Sequence, residues 1–128
     1  MKKTGILHPE LSHMVASCGH TDYIVLADKG YPVPNGVNRI NLGFMDDHPT
    51  ILQVLEALSS EMKIDRLILT DEMVDMSPER VEDLKKMFPQ VRIDRVSHTE
   101  LKELTDTAFG VVKTADTCPY ANLMVVSG

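Results

Sequence analysis

Tyr23-Ile24-Val25-Leu26-Ala27-Asp28 is the stretch on which the fold turns. Its five apolar residues run without a polar break, so the segment reads as a strand buried on both faces, the kind found in parallel sheets covered by helices. Asp28 then marks the carboxyl end. Immediately upstream, Leu11, Met14, Val15 and Cys18 follow the i, i+3, i+4, i+7 spacing of a helix with one buried face. Pro9 suits its first turn and Gly19 a left-handed cap after its last, which places His20 just past a helix end. Downstream, Lys29-Gly30-Tyr31-Pro32-Val33-Pro34-Asn35-Gly36 cannot be a central strand, because two prolines remove ladder donors and Asn-Gly favours a turn. An ordered loop over the sheet edge is expected there.

Farther along, strands and helices alternate. A short strand is expected around Arg39 to Leu42, then a helix from about Pro49 to Met62 whose Ile51, Leu52, Val54, Leu55 and Leu58 form a wide apolar stripe. Leu67-Ile68-Leu69 reads as a second buried strand. Ser77-Pro78 opens another helix, the serine as N-cap and the proline in the first turn, before Val81, Leu84 and Phe88, and Pro89 ends it. Val91 and Ile93 alternate with polar residues as a half-buried strand. Ser97-His98-Thr99-Glu100 has the spacing of a capping box ahead of Leu101 and Leu104, so His98 falls in a first helical turn. Phe109 to Val112 and Ala121 to Val126 supply the last two strands, joined by the polar segment Lys113 to Tyr120. This order predicts an α/β fold, a three-layer α/β/α sandwich with a mostly parallel central sheet, in a single domain over residues 1–128. In such sheets ligands gather beyond the carboxyl ends of the strands, so one cleft is expected to hold His20, Asp28 and the polar loops around them.

Composition narrows the partners. The net charge of -6 and a pI near 5.2 set the mean field against a nucleic-acid backbone or an anionic membrane, and a neutral small molecule suits the balance better. Apolar runs such as Leu123 to Val126 are far shorter than the roughly 20 residues of a spanning helix. His8, Pro9, Glu10 and His13 interrupt any apolar core of an export signal after Met1-Lys2-Lys3, so a cytoplasmic protein is expected. Cys18 and Cys118 lie far apart and without metal-type spacing, which favours free thiols.

The chain has no Gly-x-Gly-x-x-Gly, P-loop, Gly-x-Ser-x-Gly or His-Glu-x-x-His, so nucleotide, serine-hydrolase and zincin readings lose their support. Cys18, His20 and Asp22 lack a further metal ligand, and Asp71, Glu72 and Asp75 lack a calcium-loop spacing and read as a solvated turn. Met73 to Met76 reads as core or lid, and His8, His13 and His48 as structural. What remains is His20 and His98 at element boundaries, Asp28 at a strand end, and Tyr120-Ala121-Asn122 leading into the final strand. Singly, each such residue more often caps or packs; together they are acid-base and hydroxyl-binding equipment, with neither metal nor cofactor called for.

In order, Met1-Lys2-Lys3, Gly5-Ile6-Leu7, Gly19-His20-Thr21-Asp22, Ala27-Asp28, Pro32-Val33-Pro34, Ser97-His98-Thr99-Glu100 and Thr117-Cys118-Pro119-Tyr120-Ala121-Asn122 resemble the D-ribose pyranase family over nearly the whole chain. The resemblance implies a cofactor-independent isomerase that interconverts pyranose and furanose forms of free ribose. It further implies His20 as catalytic acid, Asp28, His98, Tyr120, Ala121 and Asn122 as residues lining the sugar site, and assembly into ring-shaped homo-decamers with sites built between subunits. A mutarotase for fucose or another sugar, or a non-catalytic sugar-binding protein, are the other readings. Gly19-His20-Thr21-Asp22, where fucose relatives commonly show Gly-His-Gly-Asp, favours ribose. Lys113-Thr114-Ala115-Asp116 stands where many members carry Arg-Thr-Gly-Glu, and Lys29 where Ala is common.

Overall fold

The computed structural model describes residues 1–128. Five helices and six strands follow one another in the order α1 (Pro9–Ser17), β1 (Tyr23–Ala27), β2 (Arg39–Asn41), α2 (Ile51–Ser59), β3 (Ile64–Thr70), α3 (Asp71–Met76), α4 (Pro78–Met87), β4 (Arg92–Val96), α5 (His98–Thr105), β5 (Gly110–Lys113) and β6 (Leu123–Ser127). α3 is the short one. The strands form one sheet in the order β2-β5-β1-β6-β3-β4. β1 to β5 all run the same way, and β6 runs against β1 on one side and β3 on the other. The three-layer, mostly parallel architecture expected from the sequence is the one observed.

Alternation along the strands sends side chains to two unequal layers. Ile24, Leu26, Leu67, Leu69, Leu123 and Val125 join α1, α2, α3 and α4 in the larger core. Val25, Ala27, Val111 and Met124 point the other way, where the only buried apolar residue from a helix is Leu101 of α5 and the loop after β1 supplies Tyr31 and Val33. Thus the loop with two prolines lies on the sheet face as a cover, with its Asn35-Gly36 turn made possible by Gly36 at φ +85°.

Three local expectations need correction. Gly19 is not left-handed: Cys18, in extended backbone, ends α1, and Thr21 takes the positive φ of 70° while Asp22 Oδ2 accepts from Gly19 N at 2.8 Å. Ser77 makes no side-chain cap, because its hydroxyl donates instead to Pro119 O at 2.7 Å. The Ser97 box is half formed, with Ser97 Oγ accepting from Glu100 N at 3.0 Å; the reciprocal box lies at Thr50 and Gln53 on α2. The polar segment after β5 buries two of its polar side chains, Thr114 and Asp116.

Candidate active site

Because β6 is reversed, the carboxyl ends of β1, β3 and β4 and the amino end of β6 meet along one edge of the sheet. Neighbouring strands in the order β1-β6-β3-β4 therefore present Asp28, Asn122, Glu72 and His98 side by side just beyond the ladder. Asp28 and Asn122 interlock: Asp28 N donates to Asn122 Oδ1 at 2.7 Å, and Asn122 Nδ2 donates to Asp28 Oδ2 at 3.2 Å. Gly30 N donates to the other carboxylate oxygen at 2.9 Å, which closes the turn after β1. An oriented carboxylate results, with lone pairs left for a hydroxyl.

His98 opens α5, and its backbone N–H donates to Glu72 Oε2. Its ring meets Tyr120 edge-on with centroids 5.4 Å apart and Tyr31 edge-on at 6.3 Å. Tyr31 is fixed in turn by a 2.6 Å hydrogen bond between its hydroxyl and Thr105 Oγ1. His98 Nδ1 is buried and has no hydrogen-bond partner within the chain. Burial first, and the Lys102 ammonium second, pull the His98 pKa below the ordinary histidine value, so the neutral imidazole is favoured.

These groups line a polar cleft of about 210 Å³ formed by Asp28, Gly30, Tyr31, Pro32, His98, Lys102, Tyr120 and Asn122. Four residues named from the sequence, Asp28, His98, Tyr120 and Asn122, thus come together in one chain. Ala121 adjoins them, but its side chain is buried in the larger core, so only its backbone is available to a ligand. Lys102 and Tyr31 were not foreseen. Lys102 stands at i+4 from His98 on α5, a spacing that puts both on one helix face and was the signal available for it.

His20 is elsewhere. It is exposed in the turn before β1, where Thr21 N donates to Ser127 O at 2.9 Å at the far end of β6. The five residues of β1, at about 3.3 Å each, put roughly 17 Å of strand between that turn and Asp28. The single cleft expected for His20 and Asp28 is therefore not formed within one chain. Nearby Cys18 is no candidate nucleophile, since burial and then the Asp22 charge push its thiol up to about 11.

The model of the RbsD / FucU transport protein family matches residues 1–128. The chain belongs to that family. A D-ribose pyranase from Limosilactobacillus fermentum is 39% identical over 128 residues, spanning 100% of this chain and 98% of its own. Among solved structures, RbsD of Bacillus subtilis complexed with D-ribose matches with a TM-score of 0.94 at 38% identity, over 100% of this chain and 98% of that one. The fucose mutarotase of Streptococcus pneumoniae, in complex with L-fucose, shares the RbsD / FucU fold with a TM-score of 0.80 at 24% identity, over 95% of this chain and 93% of that one.

Proposed function

We propose that this chain is a D-ribose pyranase, a cofactor-independent isomerase that opens and recloses the ring of free ribose in the cytoplasm. The observation that carries the reading is the polar cleft in which Asp28, His98, Tyr120 and Asn122 meet, in a chain alike over its full length to a D-ribose pyranase. Opening a cyclic hemiacetal requires a proton delivered to the ring oxygen as another leaves the anomeric hydroxyl, giving the open-chain aldehyde. Reclosure through a different hydroxyl changes the ring size with no net proton change. Histidine suits both transfers near neutral pH.

In this reading Asp28 and Asn122 hold sugar hydroxyls, Tyr120 binds one and offers a ring face, and the backbone at Ala121 adds a further contact. His98, held neutral, binds a hydroxyl or takes the anomeric proton. His20 is the acid that protonates the ring oxygen. Because it lies far from the cleft of its own chain, in this reading it serves the cleft of a neighbouring copy, in a homo-oligomer whose size, by family resemblance, is a decamer.

Magnetisation-transfer NMR on ribose, with fucose as control, tests the reading. Wild-type protein is expected to speed pyranose–furanose exchange of ribose, and His20→Ala to lower that acceleration by roughly 10²- to 10⁴-fold, the usual range for a general acid. Exchange unaffected by wild-type protein removes the pyranase reading, and acceleration that survives His20→Ala removes the acid assigned.

A further inference from the structure

Four N–H groups converge on the Asp116 carboxylate, which is fully buried. Oδ2 accepts from Ile51 N at 2.8 Å and from Arg80 Nη1 at 2.8 Å, while Oδ1 accepts from Cys118 N at 2.9 Å and from Arg80 Nη2 at 3.2 Å. The donors belong to three separate pieces of chain, the first turn of α2, the first turn of α4 and the loop that leads into β6. A buried charge persists only with a partner and with its lone pairs filled, and both conditions are met here. Burial opposes ionisation of Asp116, yet hydrogen bonds from Arg80, Cys118 N and Ile51 N hold its carboxyl below the usual range.

The network reaches both walls of the cleft. Asp116 O accepts from Lys29 N at 3.3 Å, and Asp116 N donates to Thr114 Oγ1 at 3.1 Å, which donates in turn to Ala27 O at 2.8 Å. Ala27 and Lys29 flank Asp28. On the other wall, the Ser77 hydroxyl holds Pro119 O and so fixes the peptide plane that carries the N–H of Tyr120. Tyr120 has a φ of 53°, a conformation that a non-glycine residue keeps only where neighbouring contacts over-determine it. Ser77 and Arg80 themselves do not line the cleft.

We propose that Ser77 and Arg80, at the start of α4, are positioning residues for the sugar site: Ser77 acts through the Pro119 carbonyl on Tyr120, and Arg80 acts through Asp116 on the Asp28 and Asn122 walls. This rests on the pyranase reading above. Their effect is on where the hydroxyl-binding groups stand, not on proton transfer, so it falls on sugar affinity.

The test combines ribose titration calorimetry, the ribose exchange rate at saturation and the melting temperature for wild type, Ser77→Ala, Ser77→Thr and Arg80→Lys. Ser77→Ala, which removes one hydrogen bond, is expected to weaken ribose binding and raise KM roughly three- to ten-fold, with kcat and Tm little changed. Ser77→Thr, which keeps the hydroxyl, restores affinity. Arg80→Lys moves in the same direction, since an ammonium cannot make the paired contact to both carboxylate oxygens. Ser77→Ala with wild-type affinity and KM overturns the proposal while leaving the pyranase reading intact, as does a loss confined to Tm and active fraction. Wild-type protein that neither binds ribose nor speeds its exchange overturns both.

Discussion

At His98, chemistry and packing meet on one side chain. Its ring is held edge-on by Tyr31 and Tyr120, its backbone is pinned by Glu72, and its pKa is lowered by burial and then by Lys102. A folded-state pKa below the unfolded value of about 6.5 means that, between the two, the unfolded chain binds a proton that the folded chain refuses. This contribution to stability is full above the unfolded pKa and is lost as the pH falls through the folded one. If neutral His98 handles the sugar, activity has an acid limb below that of an ordinary histidine. Lys102→Met removes a charge that disfavours the imidazolium, so the limb and the ring-proton titration of His98 should both move to higher pH. A pH-rate profile with NMR of the histidine rings measures both, and an unmoved titration in the variant would exclude Lys102 as a cause. The neighbouring Asn122→Ala change leaves Asp28 N–H without its acceptor, and a loss of about 1 to 3 kcal/mol is expected in urea unfolding, beyond the loss of sugar binding.

Among the elements, those with a long apolar period were legible and those defined by one hydrogen bond were not. β1 and α2 could be read because burial acts on every residue of an apolar run or stripe, whatever the rest of the chain does. α3 escaped because six residues carry no period and its acidic residues look solvated. Met73, fully buried, anchors it, and Thr70 Oγ1 caps it by accepting from Met73 N at 3.0 Å. Ser77 was misassigned because its hydroxyl is claimed by Pro119, 42 residues on, a choice that no local pattern encodes. The burial of Asp116 was likewise hidden because three of its four donors, Ile51 N and the two Arg80 nitrogens, come from distant segments. The site divides the same way: residues at element ends were readable, whereas Lys102 needed the knowledge that its face of α5 looks into the cleft. α5 is also the sole helix with a buried residue in the smaller layer, through Leu101. Leu101→Ala should therefore cost about 2 to 5 kcal/mol. The loss should appear first as faster amide exchange in α5 than in β1 or β6, with sugar binding lost before the sheet unfolds. Uniform acceleration across all three elements would show that α5 has no separate weakness.

For the whole molecule, the decisive fact is that the hydroxyl-binding cleft and His20 sit at opposite edges of one sheet. In the proposed reading, with His20 as the acid, a single copy then offers half a site at each edge, and a second copy completes it by presenting its turn at residues 19–22 to the cleft of the first. Exposed apolar side chains fit such an assembly: Phe44 is 85% exposed and Met45 59%, both beyond the edge strand β2, and Tyr120 at the cleft is 38% exposed. Head-to-tail contacts of this kind build rings where the rotation between copies closes and open filaments where it does not. A site shared in this way gives a direct prediction about mixed assemblies. His20→Ala and Asn122→Ala are each expected to be inactive alone. If subunits of the two are dissociated, mixed in equal amounts and reassembled at random, a site is intact when an Asn122→Ala chain lends its histidine to a His20→Ala chain. Each choice has even odds, so about a quarter of wild-type activity should return. Recovery near that level, with exchange verified by native mass spectrometry, places the two groups on different chains. A fully exchanged but inactive mixture would mean that one chain supplies both, because every subunit then carries a defect in its own site.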